Sequence, residues 1–304
     1  IRDDLVTGVQ TCALPISWRR PAGSVGDMVA SLVWSILRSK LRNSCQPARM
    51  HMVNKSIRLA LQMLYPERCL LCGLMCDDGF GICPGCRSEL PGNRHACSYC
   101  ALPLDDTSLD DVCRNCQDTA PAYSRCIAPW QYRDQISVLV RQLKDRGRLD
   151  IARVLGELLA VELANFYQSE TWPELVVPVP LHWWRHCRRG FNQATETAHH
   201  ILSSPTLQGL EASQRPVLAT RLCRRYRSSR SQRGLTATQR RDNLQDSFRA
   251  HPSCAGRRVA VVDDVITTGA TAEAVAGALA EAGCAEIHLW AIARTPTPRL
   301  TIPQ

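Results

Sequence analysis

Val259-Ala260-Val261-Val262-Asp263-Asp264-Val265-Ile266-Thr267-Thr268-Gly269-Ala270-Thr271 is the stretch on which the reading of this chain turns. Arg257 to Val262 reads as a strand, its apolar run Val259 to Val262 leading directly into the motif. Two acids follow, then a hydroxyl-rich loop with one glycine, then an alanine-rich helix from Ala272 to Ala282 that Gly283 ends. Between strand and helix, the backbone N–H groups of Thr268 to Thr271, the threonine hydroxyls and the positive end of the helix dipole suit a phosphate monoester. Gly269 lets the backbone approach closely. Asp263 and Asp264 suit a neighbouring polyol, because carboxylates accept hydrogen bonds from paired hydroxyls and organise Mg²⁺ through water. Ribose 5-phosphate offers both features. The plain alternative, two acids that merely solvate a strand end, does not account for Thr-Thr-Gly-Ala-Thr at this offset.

The flanking sequence supplies the rest of an α/β domain. Ile136, Leu139, Val140 and Leu143 recur at helical spacing until Gly147 interrupts, and a second helix runs through Leu149, Ala152, Leu155, Leu158, Leu159 and Leu163. Leu175 to Val179 reads as a buried strand, Asn192 to Leu202 as a helix and Glu286 to Ala293 as a strand. Strand, helix and strand in that order predict a parallel sheet flanked by helices, whose ligands bind at the carboxyl ends of the strands.

Upstream of Pro129 the chemistry changes. Ten of the sixteen cysteines lie between Cys69 and Cys126, and eight of them form four Cys-x-x-Cys pairs. Cys69/Cys72 with Cys83/Cys86, and Cys97/Cys100 with Cys113/Cys116, make two four-thiolate sets in tandem. Zinc prefers such a closed tetrahedron, so two structural zinc sites in a double zinc ribbon are expected over residues 67–120. Gly73, Gly79, Gly81, Pro84 and Gly85 supply turns, and metal replaces a core for which few large apolar residues are present. Cys76 and His95 are read as bystanders. A thiol–disulfide exchange role would need a helix N-terminus in a βαβ setting, which does not surround these pairs.

At 304 residues, with 45% hydrophobic and 21% charged, the chain is long enough for two domains and too apolar to be disordered throughout. The surplus of 37 basic over 28 acidic residues favours phosphate-bearing partners. Met28 to Leu37 is too short to span a bilayer and lacks a cleavage site, so no membrane insertion and a cytoplasmic location are expected. Asp4 to Ile16 resembles the in-frame translation of a sequencing-library adapter. Residues 1–17 are therefore expected to be an artefact and 18–51 upstream sequence of uncertain status. Met52 is the preferred start, with a short helix over 52–66.

The thirteen residues from Val259 resemble the phosphoribosyl-diphosphate (PRPP) fingerprint of type I phosphoribosyltransferases. Residues 57 to 294 as a whole resemble the ComF family, which joins an N-terminal double zinc ribbon to such a domain. Lys144 and Gly147 fall in the family's early lysine block, and Arg188-Arg189-Gly190-Phe191-Asn192-Gln193 matches its Arg-Gly-Phe-Asn-Gln signature. Gln232, Leu235, Arg240, Asn243 and Phe248 match the block before the PRPP strand. The resemblance implies a phosphoribosyltransferase-like domain over 130–297, followed by a tail at 298–304. It assigns Asp263 and Asp264 to the ribose hydroxyls at the catalytic centre. Thr267, Thr268, Gly269, Ala270 and Thr271 are assigned to the 5-phosphate of PRPP or another ribose 5-phosphate compound carried with Mg²⁺. The turn holding Arg185, Arg188, Arg189 and Gly190 is assigned to the diphosphate, where guanidinium groups bind oxygen pairs in a bidentate way.

Arg221 to Arg241 carries Arg224, Arg225, Arg227, Arg230, Arg233, Arg240 and Arg241 with almost no apolar content, which looks like a mobile active-site hood. Two functions follow. One is Mg²⁺-dependent transfer of a phosphoribosyl group to an unidentified nucleophile, a pentosyltransferase reaction of the glycosyltransferase class. The other is a non-catalytic competence protein of DNA uptake, whose ribbons and basic loop engage single-stranded DNA or a partner of the competence machinery. Ser229 replaces the family's hood threonine. Thr267 stands where 6-oxopurine transferases carry a base-assisting carboxylate, which disfavours that chemistry. His182, His186, His199 and His200 are assigned no role.

Overall fold

The computed structural model describes residues 67–76, 79–105, 110–226 and 247–297. The proposed adapter, the upstream segment, the helix over 52–66, the tail and most of the hood, with Gln232, Leu235, Arg240 and Asn243, lie outside these residues. Two short helices, α1 (Pro84–Ser88) and α2 (Arg114–Asp118), belong to the ribbons, and each starts directly after a cysteine, Cys83 or Cys113.

The sheet begins with β1 (Arg125–Ile127) and β2 (Trp130–Gln131), so its first strand lies ahead of the composition change at Pro129. Helix α3 (Asp134–Arg146) buries Ile136, Leu139, Val140 and Leu143, an i, i+3, i+4, i+7 stripe. Gly147 ends it in the left-handed conformation, φ 63°. Helix α4 (Leu149–Phe166) buries residues around most of its circumference and lies across α6. Then follow β3 (Leu175–Pro178), α5 (Trp183–Arg189), α6 (Gln193–Ser203), α7 (Pro205–Gln208) and β4 (Val217–Leu218). An antiparallel pair, β5 (Cys223–Arg225) with β6 (Phe248–Ala250), precedes β7 (Arg258–Ile266), α8 (Ala270–Glu281) and β8 (Glu286–Arg294).

The main sheet is parallel throughout, in the order β1-β8-β7-β3-β4, with β2 also paired to β8. Alternation along its strands divides the core in two. Ala260, Val262, Val176, Trp290 and Ile292 face α3, α4 and α6, whereas Val259, Val261, Val177, Leu289 and Ala291 face α8. Complete burial of one aliphatic side chain of this kind stabilises by about 1.5–3 kcal/mol, and β7 and β8 contribute most of their length to it.

The ribbons continue these two cores. Cys69, Cys76, Ile82 and Leu90 of the first ribbon join the α4 face, and Cys97, Cys100, Ala101 and Cys113 of the second join the α8 face. Gly81, at φ 69°, lies against α4 with no room for a side chain: a Cβ there would stand 2.7 Å from Val154 Cγ2. Among the described residues no helix is long and apolar enough to cross a membrane.

Candidate functional site

Strand β7 runs further than its apolar residues alone indicate and carries both acids inside the sheet. Asp263 is in register with Ala291, and Val265 with Ala293. Asp264 is buried, its Oδ1 accepts from the Val265 amide at 2.8 Å, and Lys144 Nζ from the last turn of α3 lies 2.9 Å from its Oδ2. Asp263 Oδ1 accepts from the Asp264 amide at 2.8 Å. Burial first, and the adjacent Asp264 carboxylate second, push the Asp263 carboxyl up to about 8, against the pull of Lys144. The two acids therefore differ: Asp264 is paired with an ammonium, whereas Asp263 is held well above the usual carboxylate range.

Past Ile266 the chain leaves the sheet. Thr267 and Thr268 are exposed, while Gly269, Ala270 and Thr271 are half-buried. Gly269 occupies the cap position of α8 at φ 84°, ψ −10°, a left-handed conformation that glycine adopts without steric cost. Gly269 brings no side-chain acceptor to the helix start, and Thr268 Oγ1 accepts from the Ala270 amide at 3.4 Å. A helix of twelve residues thus begins with its positive end beside two acids and three threonines.

The neighbouring strand brings the second half of the predicted site. Pro178 pairs with Val262, and Val179 N–H continues the ladder to Val262 O at 2.9 Å, so the segment leaving β3 emerges beside the acids. That segment is the short helix α5, where a turn was expected. His182 Nδ1 accepts from Trp184 N–H at its start, and Gly190 ends it at φ 79°. Arg185 and Arg188 are exposed, Arg189 is half-buried and Gly190 is exposed. Arg188 lies over the Trp184 ring at 5.7 Å.

Arg225, at the base of the segment read as a hood, adds to this basic corner. Its pKa is lowered by burial and by Arg185, and that of His182 by burial, Arg225 and Arg185. Arg225 Nε is buried without a hydrogen-bond partner. Concentrated positive charge of this kind favours an anion. In the sequence, Arg225 stands only as one arginine of a long basic stretch and Lys144 only as one residue of a family block. The signal for Lys144 was its place one residue after Leu143, in the last turn of an amphipathic helix.

The eight cysteines of the two sets converge as their spacing predicts. The ligand atoms of Cys69, Cys72, Cys83 and Cys86 lie within 4.8 Å of one another, as do those of Cys97, Cys100, Cys113 and Cys116. Cys72 and Cys83 sulfurs are 3.7 Å apart, and Cys100 and Cys113 sulfurs 3.6 Å. A tetrahedron with zinc–sulfur bonds of about 2.3 Å has edges of about 3.8 Å, so both sets fit zinc. Cys76 and His95 stand outside them.

A cavity of about 960 Å³ lies elsewhere, at the amino ends of β3, β4 and β7 among Trp172, Glu174, Arg215 and Arg257. None of the predicted ligand-binding residues lines it. The carboxyl ends, where parallel sheets bind their ligands, hold the acids and the threonine loop.

A parallel sheet with this strand order, an acid pair leading into a glycine-capped helix, and two four-cysteine centres define a zinc-ribbon protein with a phosphoribosyltransferase-like domain. Residues 60–117 match the double zinc ribbon domain, and residues 210–302 the phosphoribosyl transferase domain. "DNA utilization protein YhgH" of Escherichia coli K12 is 32% identical over 76% of this chain and 98% of its own length. "Competence protein F" of Haemophilus influenzae is 32% identical over 70% and 90%, and "Competence protein ComFC" of Bacillus subtilis is 26% identical over 66% and 79%. The chain belongs to the ComF family, whose members include these relatives. Among solved structures, the purine phosphoribosyltransferase of Pyrococcus horikoshii aligns at 18% identity and TM-score 0.28 over 46% of this chain and 83% of that one.

Proposed function

We propose that this protein binds PRPP at the carboxyl ends of β7 and β3 and transfers its phosphoribosyl group to an acceptor. The observation that carries the reading is the junction Asp263–Thr271, where two acids lead through a left-handed Gly269 into the N-terminus of α8. In this reading Thr267 to Thr271 hold the 5-phosphate on backbone amides and hydroxyls. Asp263 and Asp264 accept from the ribose hydroxyls, and Lys144 holds Asp264 in place through its ion pair before ligand arrives. Mg²⁺ enters with PRPP and neutralises part of the diphosphate charge; the acids are suited to meet it through water. Arg185, Arg188 and Arg189, with Arg225, face the diphosphate, where they stabilise the leaving group as the bond to an oxocarbenium-like ribose breaks.

Titration calorimetry with PRPP and Mg²⁺ tests this reading. The native protein is expected to bind, and Asp263→Asn/Asp264→Asn to lose affinity while melting cooperatively. Absence of heat with the native protein removes the proposal.

A second reading is favoured by the exposed Trp183 and Trp184 beside Arg185 and Arg188. With relatives named for competence and DNA utilization, these rings and guanidinium groups suit single-stranded DNA, in a cytoplasm reducing enough to keep zinc thiolates intact. Binding that weakens with salt and is lost in Arg224→Ala/Arg225→Ala supports it, and no binding at low salt removes it. The two readings are compatible on one protein.

A further inference from the structure

Arg294 ends β8 as a buried cation, 6% exposed, and its contacts reach two regions far apart in sequence. Its Nε donates to the carbonyl of Cys100, a ligand residue of the second zinc set, at 3.1 Å. Its Nη1 donates to Ile266 O at 3.0 Å, to Thr267 O and to Thr295 O at 3.3 Å. One guanidinium therefore joins the second zinc knuckle to the first residues of the loop that leads to Gly269. A parallel contact carries the same ribbon to the helix: the Ala122 amide, six residues after Cys116, donates to Glu273 Oε1 in the first turn of α8 at 2.9 Å.

The charge balance points the same way. Burying a guanidinium is costly unless it is paired, and among the described residues no carboxylate lies within ion-pair distance of Arg294. A zinc ion bound by four thiolates carries a formal charge of about −2, and the second set packs in the α8-side core, where Arg294 reaches the Cys100 carbonyl. The buried guanidinium is met instead by four backbone carbonyls, one of them that of the zinc-ligand residue Cys100. The first zinc set packs on the opposite face of the sheet with α4, so it makes neither contact.

We infer that Arg294 is a positioning residue through which the second zinc centre, and not the first, fixes the loop from Ile266 to Thr271. The fork does two things at once: its charge steadies the thiolate centre, and its N–H groups hold the carbonyls of Ile266 and Thr267 so that the following amides keep one arrangement. The value of that loop for a sugar phosphate rests on the reading above, whereas the coupling is a property of the ligand-free protein.

Amide hydrogen exchange on the full chain without ligand, with zinc counted by a chelating dye, tests it. In Arg294→Gln, exchange over residues 267–271 is expected to rise by about tenfold, within the usual range for coupling between sites. Protection of Leu175–Pro178 and the count of two zincs per chain are expected to hold. Cys116→Ser is expected to loosen the same loop, and Cys72→Ser to leave it protected. Arg294→Gln is also expected to release zinc faster to a chelator; Arg294→Lys keeps the charge but loses the fork, so it restores slow zinc release without restoring loop protection, a split that a merely structural role does not give. If Cys116→Ser does not fold, the Gln and Lys variants decide between them. Native protection of the loop in Arg294→Gln, or equal loosening by Cys72→Ser, overturns the inference. Loop loosening as expected, combined with no PRPP heat in the native protein, removes the PRPP reading alone.

Discussion

Lys144 Nζ stands 2.9 Å from Asp264 Oδ2 and ties the last turn of α3 to the acid pair of β7. The carboxylate is nearly buried and the ammonium about a quarter exposed, so removing the cation strands a charge in a poorly solvated place. Lys144→Met is expected to lower stability by about 2 kcal/mol. Adding Asp264→Asn should recover most of that loss, because the neutral amide needs no counter-charge. Chemical denaturation of the two single variants and the double variant measures the coupling. Additive losses would mean that the pair is not an energetic unit.

Asp263 sets a pH dependence of opposite sense to that of an ordinary surface carboxylate. Its folded pKa, about 8, lies above the reference value of 3.8, so between those two values the folded protein holds a proton that the unfolded chain has released. Stability falls as pH rises through this window, and the loss is complete above about 8. Asp263→Asn removes the term. The variant should gain melting temperature relative to the native protein between pH 5 and pH 9; a constant difference across that range would show that Asp263 ionises normally.

Metal content follows from which sulfurs converge. The full chain should bind two zincs, Cys83→Ser one, and Cys76→Ser and His95→Ala two, since only the first of these substitutions touches a four-sulfur set. Chelation should also destabilise the sheet, because Ile82 and Leu90 of the first ribbon and Ala101 of the second are buried in the cores that flank it. A melting temperature insensitive to chelator, with zinc shown to be gone, would contradict that continuity.

The elements around the acid pair were legible because each signal is local. The i, i+4 stripe of α3, the apolar run of β7 and the glycine after α8 declare themselves within a few residues. The four-cysteine sets were equally plain, since a closed zinc site leaves its ligand spacing in the chain. What sequence did not reveal depends on distant partners. Lys144 and Asp264 are 120 positions apart and meet only because α3 covers one face of the sheet. Arg294 looks like an ordinary basic residue at a strand end until the second ribbon is folded over it. Helix α5 was hidden because Trp183 to Arg189 buries no residue and has no apolar stripe to show its period. The acids were expected past the end of a strand that in fact contains them, because parallel pairing to β8 continues through Val265 and Ile266 whatever the polarity of Asp263.

A buried relay from the amino end to the middle of β8 gives the last prediction. Trp290 Nε1 can only donate, and it does so to Tyr167 Oη at 3.0 Å. The tyrosine hydroxyl is then free to donate to His288 Nδ1 at 2.6 Å, which leaves the histidine proton on Nε2, facing Glu286 Oε1 at 3.1 Å. Burial raises the Tyr167 pKa well above the usual phenol range, so the hydroxyl keeps its proton at any pH the fold survives. Tyr167→Phe preserves the stacked ring on Trp172, 4.4 Å between centroids, yet it leaves Trp290 N–H and His288 Nδ1 without this partner. A loss of about 2–3 kcal/mol is expected, seen as a lower urea midpoint at unchanged slope. Because Tyr167 acts through His288, which pairs with Ala260 three register positions before Asp263, PRPP affinity should not change; a loss of affinity at native-like stability would show that the relay and the acid pair communicate.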